Sequence, residues 1–347
     1  MARVTLQTIA DRVGVSRMTV SNAFSRPDQL SAELREEILA AAAELGYAGP
    51  DPTARALVRG TTGAVGVLLT DSLAYAFTDE VATGFLGAVV EELAPTGLAF
   101  TLIGSNEEGE VVPARDVAVD GAIVYACRPR SEAREWLIRR KLPLVFVDQD
   151  PVPGVPCVNV DDRGGARAAA RHLLDLGHRH IGIVSVDQAD DPADVPHPTK
   201  QRLRGWREAL EAAGVDAPVV DAAAHSEFAA EEVALELLQR APRPTAVLCY
   251  SDVIALGVVR AARSLGLGVP DDLSVVGFDD SPVAHRHDPQ LTTVRQDVVA
   301  KGRAAAAALT AVIDSARAGL DPTAAHLVIP TELVVRASTA PPHDPAG

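Results

Sequence analysis

Aromatic residues are scarce in this 347-residue chain, at 4% of the sequence. Apolar burial therefore rests on Ala, Val, Leu and Ile, and the 47% hydrophobic content is enough for a sizeable core. Only three cysteines occur, Cys127, Cys157 and Cys249, far apart in apolar runs. That number and spacing exclude a zinc site and a disulfide framework, and we expect buried, reduced thiols as in a cytoplasmic protein. No uncharged apolar run approaches the roughly 20 residues of a membrane span, and Asp11, Arg12 and Arg17 interrupt any signal-peptide core. Positive charge is short as well: 32 Lys and Arg stand against 47 Asp and Glu, a net charge of -15. This excludes a chain that coats nucleic acid along its whole length. No G-x-G-x-x-G follows a strand, and no P-loop or G-x-S-x-G is present. An enzyme has no motif here, and we expect no catalytic residues, no cofactor and no metal. The pairs His178/His180 and His285/His287 are not read as metal sites.

What the chain does contain is a structured N-terminus, TLQTIADRVGVSRMTVSNAF at Thr5–Phe24. Leu6, Ile9, Ala10 and Val13 recur at helical spacing, with Thr5 at the N-cap. Gly14 breaks the helix and Val15 packs the corner. Ser16 caps a second helix whose inner face is Val20 and Phe24, while Arg17, Met18, Ser21 and Asn22 point outward. A helix, a glycine turn and a second helix of this kind form a helix-turn-helix, whose second helix fits the major groove of DNA. A hairpin buried in a core would not keep Arg17 and Asn22 beside its first turn. The local charge agrees: Met1–Pro27 carries Arg3, Arg12, Arg17 and Arg26 against Asp11, a basic head on an acidic body.

A third helix follows, capped by Ser31, with Glu33 in its first turn, a stripe of Leu34, Ile38, Ala41, Ala42 and Leu45, and a stop at Gly46. Pro52–Arg59 reads as a helix of about two turns with Asp51 as its cap and Gly60 as its stop, too short to stand alone in water. From Gly63 apolar strand-like runs alternate with helices, the pattern of parallel sheets covered on both faces. The length favours two similar lobes with a break near Asp161–Asp162. The divisions expected are a headpiece at 1–49, a hinge at 50–62, a core at 63–340 and a disordered tail at 341–347. Within the core, lobe 1 takes 63–160 and 293–323, and lobe 2 takes 161–292 and 324–340.

These blocks, with ELGY at Glu44–Tyr47 and PDPTARAL at Pro50–Leu57, resemble the lac repressor/galactose repressor (LacI/GalR) family of bacterial regulators. VDGAIVYA, PLVFVDQD, VNVDDRGGARAAARHLLDLGHRHIGIVS, RLRGWREAL, YSDVIALGVVRAARSLGLGVPDDLSVVGFDDSP, LTTVRQD and ELVVRAST continue the match in order along almost the whole chain. The resemblance implies an all-α helix-turn-helix headpiece on an α/β two-lobed core like a periplasmic sugar-binding protein (type I). It also implies a homodimer, a small effector between the lobes, and crossings between lobes near Val160, Thr292–Gln296 and Ala324.

For the DNA end, the resemblance puts base-reading side chains at Arg17, Met18 and Asn22. Arg bonds guanine bidentately and Asn bonds adenine, each for about 1–3 kcal/mol of discrimination, and Met offers apolar contact. Thr5, Ser16, Thr19, Ser21 and the helix N-terminal amides suit phosphates. Many members have Arg where Asn22 stands and Asn where Ser25 stands, so the operator is expected to depart from the family consensus. Leu57 matches the leucine that wedges into the minor groove at the centre of the operator, with Ala54 and Arg55 beside it. The alternative for Leu57 is packing on the core. GYAGPDP is one residue longer than the family's GYRPNP form. A hinge that folds only when two copies are held on DNA is a switch that the core can melt by moving them apart.

For the effector end, ligands in open α/β sheets bind beyond the carboxyl ends of strands. Those ends carry Asp71, Tyr125, Asp148, Ser185, Ser251, Asp252, Asp279 and Asp280. Family matching puts Arg202, at the opening of the RLRGW helix, with Asp279 and Gln296 in the cleft, and adds Asp148, Tyr125 and Phe228. Asp252 is either a helix cap or a ligand contact. Arg and Asp around adjacent hydroxyls, with an aromatic face, suit a sugar. The acidic stretch Asp187–His197 is expected to form a solvated flap at the cleft mouth. The reading is a repressor that binds approximately palindromic double-stranded DNA under the control of a sugar or sugar derivative. The alternatives are a sugar-binding transport receptor, or a regulator that answers to a purine or a partner protein. No leucine heptad follows ELVVRAST, so a dimer is preferred to a tetramer. No membrane partner is expected.

Overall fold

The computed structural model describes residues 4–51, 55–57, 60–69, 73–104, 112–186, 189, 191–321 and 324–343. It divides into two compact units, 1–63 and 64–347.

In the first unit, α1 (Leu6–Val13) begins at a capping box in which the Thr5 side chain accepts the Thr8 amide and the Thr8 side chain accepts the Thr5 amide. Gly14 ends α1 at φ 78°, a left-handed conformation that glycine adopts without strain. Ser16 caps α2 (Arg17–Ser25) by accepting the Thr19 amide at 3.0 Å. Ser31 caps α3 (Ala32–Glu44) in the same way. The three helices bury Ile9, Ala10, Val20, Ala23, Ile38, Ala41 and Ala42, with Phe24 edge-on to Tyr47 at 5.7 Å. Arg55–Leu57 is helical, and the Gly60 amide closes on the Ala56 carbonyl at 2.8 Å.

The second unit holds two parallel sheets. The first has the order β11-β5-β4-β3-β1-β2. Its strands are β1 (Ala64–Leu69), β2 (Ala99–Gly104), β3 (Ala122–Tyr125), β4 (Leu144–Val147), β5 (Cys157–Val160) and β11 (His326–Ile329). The second has the order β7-β6-β8-β9, from β6 (Ile181–Val186), β7 (Val219–Ala222), β8 (Ala246–Cys249) and β9 (Ser274–Val276). A separate antiparallel ribbon pairs β10 (Thr293–Gln296) with β12 (Thr331–Val334). The central strands of each sheet are buried on both faces, which is why they read as unbroken apolar runs, while the edge strands β11, β2 and β7 are partly exposed.

The covering helices pair closely: α4 (Glu80–Leu93) with α11 (Val298–Arg317), α6 (Asp162–Asp175) with α7 (His197–Ala212), and α8 (Glu227–Leu238) with α9 (Asp252–Ser264), while α5 (Glu132–Arg139) packs on the first sheet through Ala133 and Leu137 and the short α10 (Pro282–Arg286) follows β9. A Cβ added to Gly205 on α7 would sit 2.3 Å from the Arg163 carbonyl on α6, so only glycine permits that approach. Small-residue crossings of this kind let a chain poor in aromatic rings fill its core.

Two expected lobe limits are corrected. Val294 is buried against the second sheet, Thr292 just before β10 bridges to Val276 of β9, and Arg295 bridges to Asp279 just beyond β9, so 293–296 belongs with the second lobe. β11 is hydrogen-bonded in parallel to β5, so the chain leaves the first sheet after Ile329 rather than near Ala324. The extended pairing of Val328 and Ile329 with Asn159 and Val160 decides this. At the C-terminus the Ala340 carbonyl accepts from Ser274 Oγ at 3.0 Å and Pro342 lies beside Gly177, so the packed chain runs past residue 340. The rest of the expected tail, 344–347, lies outside the described residues.

Candidate functional site

The N-terminal unit presents its second helix outward. Arg17 is exposed, Met18 is 70% exposed, and Ser21 and Asn22 are half-buried, because Val20 and Ala23 take the inner face. Neither α1 nor α2 has an acid in its first turn, whereas α3 has Glu33. The positive ends of the first two helix dipoles are thus left for an external anion. Ser16 Oγ is shared between the Thr19 amide and the Thr19 hydroxyl. Leu57 is 81% exposed. Ala54 lies outside the described residues.

The second unit contains a cavity of about 120 Å³ at the carboxyl ends of both sheets. Tyr125 and Asp148 come from the first sheet, Tyr250 and Asp279 from the second, Arg202 from α7 and Gln296 from the end of β10. Five of the expected residues, Tyr125, Asp148, Arg202, Asp279 and Gln296, are thereby brought together. Asp148 and Asp279 have φ of 53° and 108°. Left-handed backbone is costly for a residue with a Cβ, and such strain concentrates at functional positions.

The charges form one connected chain. Lys301 Nζ donates to Asp148 Oδ2 at 2.6 Å and to Gln296 Oε1 at 2.8 Å. Gln296 Nε2 donates to Asp279 Oδ1 at 2.7 Å, and Arg202 Nη2 lies 3.3 Å from that same oxygen. Arg202 also donates to Asp162 at 2.8 Å and to the Tyr250 carbonyl at 2.6 Å, with its guanidinium 3.7 Å from the centre of the Phe278 ring. Tyr125 stacks on Phe85 at 4.3 Å, and Lys301 Nζ is 5.5 Å from the Tyr125 ring centre. Both cations are thus engaged, while Asp148 Oδ1 is buried with no hydrogen-bond partner among the described residues. Such an oxygen suits a ligand hydroxyl.

Burial pushes the Asp279 carboxyl up to about 7, against the pull of Arg202. Burial also raises Asp79, at the N-cap of α4, while the Ala82 and Val81 amides oppose it. Burial works against the charge of Arg202, but Asp279 and Asp162 more than offset it and hold the guanidinium protonated. A carboxyl ordinarily near 3.8 that reaches about 7 in the fold favours folding fully below the lower value. That contribution is lost as pH rises through the upper one. Wild-type stability relative to Asp279→Asn should therefore decline between about pH 4 and 7, read as the difference in Tm at each pH. A constant difference would contradict the assignment.

Several expected contacts are corrected. Phe228 is 71% exposed on the outside of α8 beneath Arg260. It lies opposite the buried face of Ala230, Ala234 and Leu237, and His225 lines the cavity in its stead. Ser251 caps α9, and its Oγ pairs with His225 Nε2 at 2.6 Å, so it reaches the cavity only through that ring. Asp252 is neither cap nor lining: its carboxylate accepts from the Ser281 amide and hydroxyl and from the Thr293 hydroxyl, an internal brace. Asp280 turns away to Arg295 and Arg336. Arg202 lies in the second turn of a helix that begins at His197, not at its opening. Asp71 lies outside the described residues, as do Asp187, Gln188 and Asp190 of the acidic stretch. Its Asp191 and Asp194 engage Arg130. His178 is buried among Thr245, Ser274 and the Ala340 carbonyl.

Sequence reasoning missed Asp79, His225, Tyr250 and Lys301, all of which line the cavity. Lys301 left a signal: it sits at the head of the apolar stripe Ala305, Leu309, Val312 on α11.

The profile of bacterial regulatory proteins, lacI family, matches residues 5–49, and that of the periplasmic binding protein-like domain matches 170–339. An HTH-type transcriptional regulator of Mycolicibacterium smegmatis is 41% identical, covering 87% of this chain and 89% of its own. The crystal structure of a LacI family transcriptional regulator from Corynebacterium glutamicum is 33% identical with a TM-score of 0.70, covering 98% of this chain and all of its own. The transcriptional regulator CelR, solved in complex with cellobiose, is 28% identical with a TM-score of 0.67 over 97% of this chain and all of its own. The chain belongs to the lacI family of bacterial regulatory proteins and is a transcriptional regulator.

Proposed function

We propose that this regulator is a homodimeric repressor whose grip on an approximately palindromic operator is set by a small, hydroxyl-rich effector, a sugar or sugar derivative. The effector sits in the cavity around Asp148, Arg202, Asp279, Gln296 and Lys301, with Tyr125 as its apolar wall. The observation that carries this reading is the buried Asp148 Oδ1, without a hydrogen-bond partner among the described residues, beside cations that already have carboxylate partners. A hydroxyl can donate to that oxygen, whereas an anionic ligand would have to displace an existing ion pair. The CelR complex with cellobiose is consistent with a carbohydrate in this type of core.

At the other end, Arg17, Met18 and Asn22 read bases, while Thr5, Ser16, Thr19 and Ser21 position the helix on phosphates. Ala54, Arg55 and Leu57 belong to a hinge that enters the minor groove. Selection from random duplexes should yield a near-palindromic site, bound with an affinity that falls steeply with salt. Failure to select any sequence, with or without sugars and nucleobases present, would overturn the DNA-reading half. A panel of sugars in which none raises the Tm of the protein would overturn the effector half.

A further inference from the structure

We infer that Gln29 sets the base preference of Asn22, by holding the Asn22 amide in the orientation that reads adenine. The inference rests on the DNA-reading role proposed for α2. Asn22 Nδ2 donates to Gln29 Oε1 at 3.2 Å. The geometry is pinned from both ends. The Arg26 amide bonds the Asn22 carbonyl at 2.8 Å, and the Gln29 amide bonds the Arg26 carbonyl at 3.1 Å. Gln29 thus returns over the last turn of α2 to reach a side chain that is half-buried on its outward face.

The chemistry follows from the amide itself. It has two N–H donors and a carbonyl acceptor. When the N–H directed away from Oδ1 is held by Gln29, the other N–H and Oδ1 stand on one edge. That edge is the donor–acceptor pair complementary to N7 and the N6 amino group of adenine. With Gln29 presenting Oε1, as here, rotating the Asn22 amide by half a turn would set two acceptors face to face, so this orientation of Gln29 disfavours the reversed one. Gln29 is therefore a positioning residue for specificity: it acts through Asn22 and needs no base contact of its own.

The test uses the full-length protein and the operator it selects. Asn22→Ala marks the base pair that Asn22 reads, as the position where discrimination disappears. At that pair the wild type is expected to prefer adenine over the other bases by about 5- to 150-fold. Gln29→Ala should reduce that ratio to below about 3-fold while leaving discrimination at the other positions and the salt slope unchanged. Gln29→Glu, which keeps the acceptor, should retain the ratio even if a carboxylate near the DNA weakens affinity at every site. A merely structural Gln29 would lower affinity for all operators alike. A different preferred base in the wild type, or an undiminished adenine ratio in Gln29→Ala, overturns the inference and leaves the regulator reading intact. A wild type without any sequence preference overturns both.

Discussion

Lys301→Met is expected to cost the core about 3–5 kcal/mol of unfolding free energy, because it leaves the Asp148 carboxylate buried without its cation. The ammonium is 1% exposed and 2.6 Å from Asp148 Oδ2. Methionine fits the same slot in volume, so the loss is electrostatic rather than a cavity. Pairing it with Asp148→Asn removes the stranded charge, and the double variant should recover most of the lost stability, a coupling that denaturant unfolding can measure as a double-mutant cycle. The double variant should not recover ligand binding, since Asp148 Oδ1 and the Lys301–Gln296 bond are both altered. A single variant as stable as the wild type would mean that Lys301 holds no charge in place.

Leu57→Ala should leave thermal stability unchanged and weaken the operator complex. The side chain is 81% exposed, so the free protein loses little by its truncation. On the proposed operator it becomes buried between base pairs. Burying a leucine is worth about 1.5–3 kcal/mol, or roughly a 10- to 150-fold change in affinity for each hinge. Fluorescence anisotropy with the selected operator reads the affinity and thermal unfolding reads the stability. A drop in Tm at unchanged operator affinity would instead assign Leu57 to packing on the rest of the chain.

The fold was legible where local physics dominates. Thr5, Gly14, Ser16 and Ser31 act at helix ends as their chemistry demands, and strands buried on both faces announce themselves as apolar runs. The lobe boundaries were not legible in the same way. Whether Thr293–Gln296 and His326–Ile329 join one sheet or the other depends on pairing partners far away in the sequence. The cleft was half legible. Polar residues at strand ends mark it, but a strand end does not say which way the next residue turns: Asp279 faces the cavity, and its neighbour Asp280 faces Arg295 and Arg336. The resemblance places Phe228 in the cleft, whereas helical phase puts it outside. Lys301, a lysine in a long alanine-rich helix, has the type of a solvated residue, and only its place on the apolar stripe marks it as buried.

The central claim is that the cavity and the DNA-reading helix are coupled. Operator affinity measured while titrating a sugar that raises the Tm of the protein tests it most directly. The account predicts that saturating ligand changes operator affinity about 5- to 150-fold, in whichever direction, and that operator changes ligand affinity by the same factor. Equal operator affinity with the cavity empty and saturated would contradict it.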